Sequence, residues 1–176
     1  MHRHLGPVAG LLVALVWTDL PAQQACTLLT TADIETTTGA KAATAPQPLA
    51  MAIPEGPQKG QTMNGCMWGT GDKGMVSLSV MEAPPPGPAR EAGLAQIEQV
   101  MDKLKAKKWT EEKKKFPDGS CSIMTPPPSE KDAPILSGCL VVKKGMLVSS
   151  NFMSPTRKLT IDQVRALTDK TLGHMH

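Results

Sequence analysis

Hydrophobic residues recur along this chain in two rhythms. From Met75 to Met81 they alternate, with Val76, Leu78 and Val80 separated by Ser77 and Ser79. That is the period of a strand with one buried and one polar face. Between residues 89 and 108, Leu94, Ile97, Val100, Met101 and Leu104 recur at helical spacing, with Glu98, Gln99, Asp102, Lys103 and Lys105 opposite them. That is an amphipathic helix, and its apolar stripe predicts a helix lying on a sheet.

The same reading extends to both sides. "LLTTADIETTTGA" predicts a short helix with Thr30 as N-cap, Asp33 as its capping-box partner and Gly39 as the stop. Residues 40–62 are rich in Pro and Gly and read mostly as loop, with a short strand near Leu49 to Ile53. "GCMWGTGDKGMVSLSVMEA" reads as strand, Asp72-Lys73-Gly74 turn, strand. "PPPGPAR" precedes the long helix. "WTEEKKKF" then leads through Pro117-Asp118-Gly119 into "SCSIMT", and a Pro-rich loop over 126–134 leads into "ILSGCLVVKK" and "MLVSSNFM". A T-x-x-Q capping box at Thr160–Gln163 opens a last helix whose inner face is Val164, Leu167, Thr168 and Leu172. The order is α-ββ-α-ββββ-α. It predicts an α+β domain with an antiparallel sheet of about six strands and helices packed on it.

The ends set the compartment. Arg3 and the apolar run Leu5–Trp17, followed by a polar break and a small residue, read as a signal peptide over residues 1–22. Thirteen apolar positions are too few to span a bilayer. Residues 23–176 then form a single domain. The net charge is +3, too small a bias to imply nucleic acid.

Four cysteines, Cys26, Cys66, Cys121 and Cys139, make an even number in an exported chain and read as two disulfides, for which three connectivities exist. If 120–125 and 135–140 form a hairpin centred at 130, Cys121 faces Cys139 at a separation that a disulfide can bridge. Cys26 and Cys66 are left to pair. Each bridge contributes about 3–4 kcal/mol by loop entropy. The alternative role for Cys26 is a lipid anchor. Lipoprotein signals carry an apolar residue three positions earlier, and this chain has Gln23 there.

"CTLLTTADIETTTG" together with Cys66-Met67-Trp68 resembles a group of small exported bacterial proteins, many of them lipoproteins of unknown function. Those proteins open with Cys-x-Leu-Leu-Thr and carry a later Cys-x-Trp. The resemblance implies a PsbP-like α/β/α sandwich and a Cys26–Cys66 pair. It implies no catalytic residue. The chain lacks the lipobox found in many members of the group.

Candidate chemistry is sparse. Outside the signal, histidine occurs only as His174 and His176, at a chain end, where a catalytic group is poorly held. No G-x-S-x-G elbow, P-loop or H-E-x-x-H motif is present. His174, Met175 and His176, with other methionines such as Met63 and Met67, are candidate ligands for Cu(I), which favours thioether and imidazole. Methionine as a core gap-filler is the competing explanation. Seven lysines, at 103, 105, 107, 108, 113, 114 and 115, offer a contact with an anionic surface or acidic partner. A solvated helix end, its lysines complementing the C-terminal dipole, is the simpler explanation.

These features predict an exported, non-enzymatic binding or accessory protein of the bacterial envelope, periplasmic or secreted, with no cofactor. Two alternatives stand beside it: a copper-binding module, and a hydrolase whose carboxylates are brought together only by the fold.

Overall fold

The computed structural model describes residues 22–56 and 58–175. The expected signal peptide therefore lies outside the described residues except at its last position, as does His176.

The elements run α1 (Ala22–Ala25), α2 (Thr31–Thr38), β1 (Gln47–Ala52), β2 (Thr62–Gly69), β3 (Met75–Glu82), α3 (Pro88–Ala106), β4 (Thr110–Phe116), β5 (Gly119–Thr125), β6 (Ile135–Lys143), β7 (Met146–Ser154) and α4 (Ile161–His174). The class is α+β. The sheet has seven strands in the order β1-β2-β3-β7-β6-β5-β4, and every neighbouring pair is antiparallel. The expected count of six strands and the expected element order are thus corrected by a short opening helix and by β1. β1 corresponds to the short strand read near Leu49 to Ile53, which the proline- and glycine-rich surroundings keep out of the expected order. It is an edge strand, where Pro48 can sit without costing the sheet a central hydrogen bond.

One face of the sheet carries the core. Trp68, Val76, Leu78, Val80, Ile123, Val141, Val148 and Phe152 point to that side and meet Leu29 and Ile34 near α2 and Val164, Leu167 and Leu172 of α4. Both helices begin with capping boxes, Thr30 with Asp33 and Thr160 with Gln163. α2 ends at Gly39, whose φ of 68° favours a residue without a side chain.

Both disulfides lie on this side: Cys26–Cys66 ties the α1–α2 segment to β2, and Cys121–Cys139 bridges directly opposed residues of β5 and β6. Arg157 pairs with Asp72, and Ser154 donates to the same carboxylate, fastening the approach to α4 to the β2–β3 turn.

The long helix departs from expectation. α3 stands over the opposite face of the sheet, yet none of its residues is buried. Leu94, Ile97 and Val100 remain 44%, 41% and 54% exposed. The stripe that predicts close packing instead overhangs a cleft. No helix among the described residues is long and apolar enough to cross a membrane.

Candidate functional site

The cleft beneath α3 follows from strand alternation. Residues that point away from the core on the central strands form its floor. On β3 and β7 these include Ser77, Ser79, Ser149 and Asn151. On β6 they are Leu136, Gly138, Leu140 and Val142, and on β5 Ser120, Ser122 and Met124. None of these floor residues is charged. Charge enters at the β4 edge, with Glu111, Lys113 and Lys115 and with Asp118 in the turn that follows, on α3, with Arg90 and Glu98, and at the β2 end, with Glu55.

The main cavity measures about 760 Å³, and a neighbouring one of about 430 Å³ shares Leu94, Ile97, Leu140, Leu147 and Ser149 with it. Both volumes suit a small-molecule site.

Strand register organises the floor into rows. Ser77 of β3 faces Asn151 of β7, Asn151 faces Gly138 of β6, Gly138 faces Ser122 of β5, and Ser122 faces Lys113 of β4. The adjacent row runs Ser79, Ser149, Leu140, Ser120, Lys115. Asn151 donates from Nδ2 to Ser149 Oγ at 3.1 Å and reaches Ser77 Oγ at 3.5 Å. A Cβ on Gly138 would collide with Asn151 Oδ1, so the glycine makes room for the amide.

Near its two ends the helix is held by a few polar contacts. Arg90 donates from Nε and Nη2 to the Pro84 carbonyl at 2.8 and 2.5 Å. Just beyond the C-terminus, buried Trp109 donates from Nε1 to Glu130 at 3.1 Å. Lys113 of β4 meets Glu98 of α3 at 3.3 Å.

The carboxylates at the β4 side of the cleft are each engaged with a cation: Glu98 with Lys113, Glu111 with Lys105, and Asp118 with Arg165. Hydrogen bonds from Arg165 hold the Asp118 carboxyl below its ordinary range, which keeps it ionised rather than poised as an acid.

The lysine run does not form one patch. Lys103 and Lys105 lie on α3, and Lys107 and Lys108 follow its end. Lys113 and Lys115 line the cleft, whereas Lys114 turns to the other face, meeting Asp162 of α4 and the Phe116 ring.

At the C-terminus, His174 Nδ1 sits 3.1 Å from the Leu28 carbonyl, and Met175 packs partly buried against the core. The described residues contain no cluster of three or more His, Cys, Asp or Glu side chains able to hold a metal.

Sequence reasoning missed the floor residues Ser77, Ser79, Ser122, Ser149 and Asn151, which read as an ordinary solvent-facing side. A signal was present. A sheet face open to water usually carries long charged side chains, whereas these positions are small and neutral on several strands.

The architecture is thus an α+β domain with a filled core on one face of a seven-stranded antiparallel sheet and a helix-roofed cleft on the other. Its fold is similar to that of the extracellular domain of PknH from Mycobacterium tuberculosis, with a TM-score of 0.54 and 15% identity over 87% of this chain and 96% of that chain. No family model and no curated protein matches the chain.

Proposed function

We propose that this chain is an exported binding domain that holds a small amphipathic molecule in the cleft between α3 and the sheet and performs no chemistry on it. The observation that carries this reading is the open space between roof and floor. An apolar helix face is left uncovered above an uncharged floor of hydroxyls and aliphatic side chains, with space of ligand size between them. A role outside the cytoplasm is supported by two disulfides, by the signal-like residues 1–22 and by the fold likeness to an extracellular domain. The bond from Cys26 to Cys66 favours a structural role for Cys26 over a lipid anchor. A non-enzymatic role is supported by the cation-bound carboxylates at the β4 side of the cleft and by the fact that all four cysteines are in disulfides.

Nile red, a neutral apolar fluorophore, tests the cleft. The protein should bind one equivalent with a saturable, blue-shifted emission. Ile97→Glu, which places a charge in the roof without touching the core, should abolish that binding and leave the urea midpoint unchanged. Unsaturable binding, or binding indifferent to Ile97→Glu, refutes the cleft as the site.

A further inference from the structure

We propose that the occupant of the cleft is a single-chain amphiphile with an anionic head, its tail along the row Met81, Leu147 and Val142 of β3, β7 and β6 and its head at the β4 edge. This rests on the cleft-binding role proposed above.

At the β2 end, Met63, Met81, Leu147 and Val142 form an apolar strip beneath Val100 of α3, with Ile53 beside them and Glu55, Gln58, Arg90 and Gln96 at the rim. At the other end the wall becomes Ser120 and Ser122 on β5, followed by Lys113 and Lys115 on β4. From β2 to β4 there are five inter-strand steps, and at about 4.8 Å each the trough is roughly 24 Å long. One helix roofs it. A long, narrow space in which an apolar strip leads towards lysines at the β4 edge fits an extended chain with a charged terminus better than a compact ring.

The charges at the polar end leave a cation free. Glu111 and Asp118 are engaged by Lys105 and Arg165. Glu98 engages Lys113 in a pair exposed on both sides, and such pairs are weak enough for a ligand anion to displace. Lys115 has no ion-pair partner among the described residues, and Ser120 stands directly opposite it as a hydroxyl donor. An anionic head would therefore meet an ammonium and hydroxyls together, which gives charge-assisted hydrogen bonds.

A carboxylate and a phosphate share this chemistry, and calorimetry on the full chain distinguishes them. Palmitate, palmitoyl lysophosphatidate and cetyl alcohol are titrated into wild type, Lys115→Gln and Lys113→Gln/Lys115→Gln. At least one anionic amphiphile should bind at one site about tenfold more tightly than the alcohol, and the double variant should reduce it to the alcohol's affinity. Preference for palmitate identifies a fatty carboxylate, and preference for the lysophosphatidate a phospholipid head. Equal affinity for acid and alcohol, or indifference to the lysine changes, overturns the assignment. If none of the three binds while Nile red still saturates the cleft, the amphiphile is excluded and the cleft remains a site; loss of Nile red binding as well removes both. Both lysines are exposed on an edge strand, so the variants keep the fold, and an unchanged urea midpoint verifies it.

Discussion

Arg165 of α4 grips both carboxylate oxygens of Asp118 in the β4–β5 turn, at 2.7 and 2.9 Å, and holds Asp169 one helical turn further along. The guanidinium also lies over the Phe116 ring, 4.8 Å from its centre. A planar fork satisfied on one edge by a carboxylate and on its face by an aromatic ring suits arginine and not lysine. Arg165→Lys should therefore destabilise the fold by about 1–2 kcal/mol. Urea denaturation measures this, and an unchanged midpoint would show that the pair is incidental.

The same pair sets a pH dependence. The Asp118 carboxyl is held below its ordinary value of 3.8, chiefly by hydrogen bonds from Arg165. At Asp72 burial pushes the value up, but hydrogen bonds from Thr70, Ser154 and Arg157 outweigh it, and the net shift is also downward. The unfolded chain therefore takes up protons before the folded one as pH falls. The contribution is complete above the unfolded value and is lost as pH drops through the folded value, in the region below about pH 4. Asp118→Asn should flatten the acid limb of the stability curve there. Thermal melts across that range would give the same slope for both proteins if the pair did not matter.

The two disulfides should contribute unequally. Cys26–Cys66 closes a sequence separation of 40 residues and Cys121–Cys139 one of 18. Loop entropy predicts losses of about 4 and about 3 kcal/mol when each pair is replaced by alanine. Comparing the urea midpoints of the two double variants tests the order.

The two faces of the sheet should respond differently to truncation. Phe152 is fully buried in the core, and Phe152→Ala should cost about 3–5 kcal/mol. Leu94→Ser/Val100→Ser on the half-exposed stripe of α3 should change stability by roughly 1 kcal/mol or less. A comparable loss from the roof would mean that α3 supports the fold instead of covering a site.

Gly138→Ala probes the cleft floor. The new methyl meets the Asn151 amide oxygen and must push that side chain off Ser149 and Ser77. Nile red affinity should change while the core of the opposite face stays intact, and near-ultraviolet circular dichroism follows that core through Trp68, which is buried there.

Local chemistry made much of the fold legible. Capping boxes at Thr30 and Thr160 announce two helices because they satisfy backbone donors by contacts three residues apart. Cys121 lies opposite Cys139 because a symmetric loop fixes the register of an antiparallel pair, which is arithmetic on sequence positions. β1 is legible only as a short strand near Leu49 to Ile53 and does not enter the expected element order, because Pro48 signals a loop locally and only a position at the edge of the sheet makes it admissible. The cleft was hidden for another reason. The periodicity of α3 states that one side is apolar but not how far that side stands from the sheet. That distance is set by the turns on either side, and the contents of the gap are not written in either element alone.

The lysines of β4 have a consequence beyond any ligand. β4 is an outer strand, and its unpaired backbone groups are a template on which another sheet could grow. Lys113 and Lys115 on one side and Lys114 on the other place positive charge on both flanks of that edge. Two copies meeting edge to edge would bring six ammonium groups together. Charge repulsion at that edge thereby disfavours the growth of a second sheet on it.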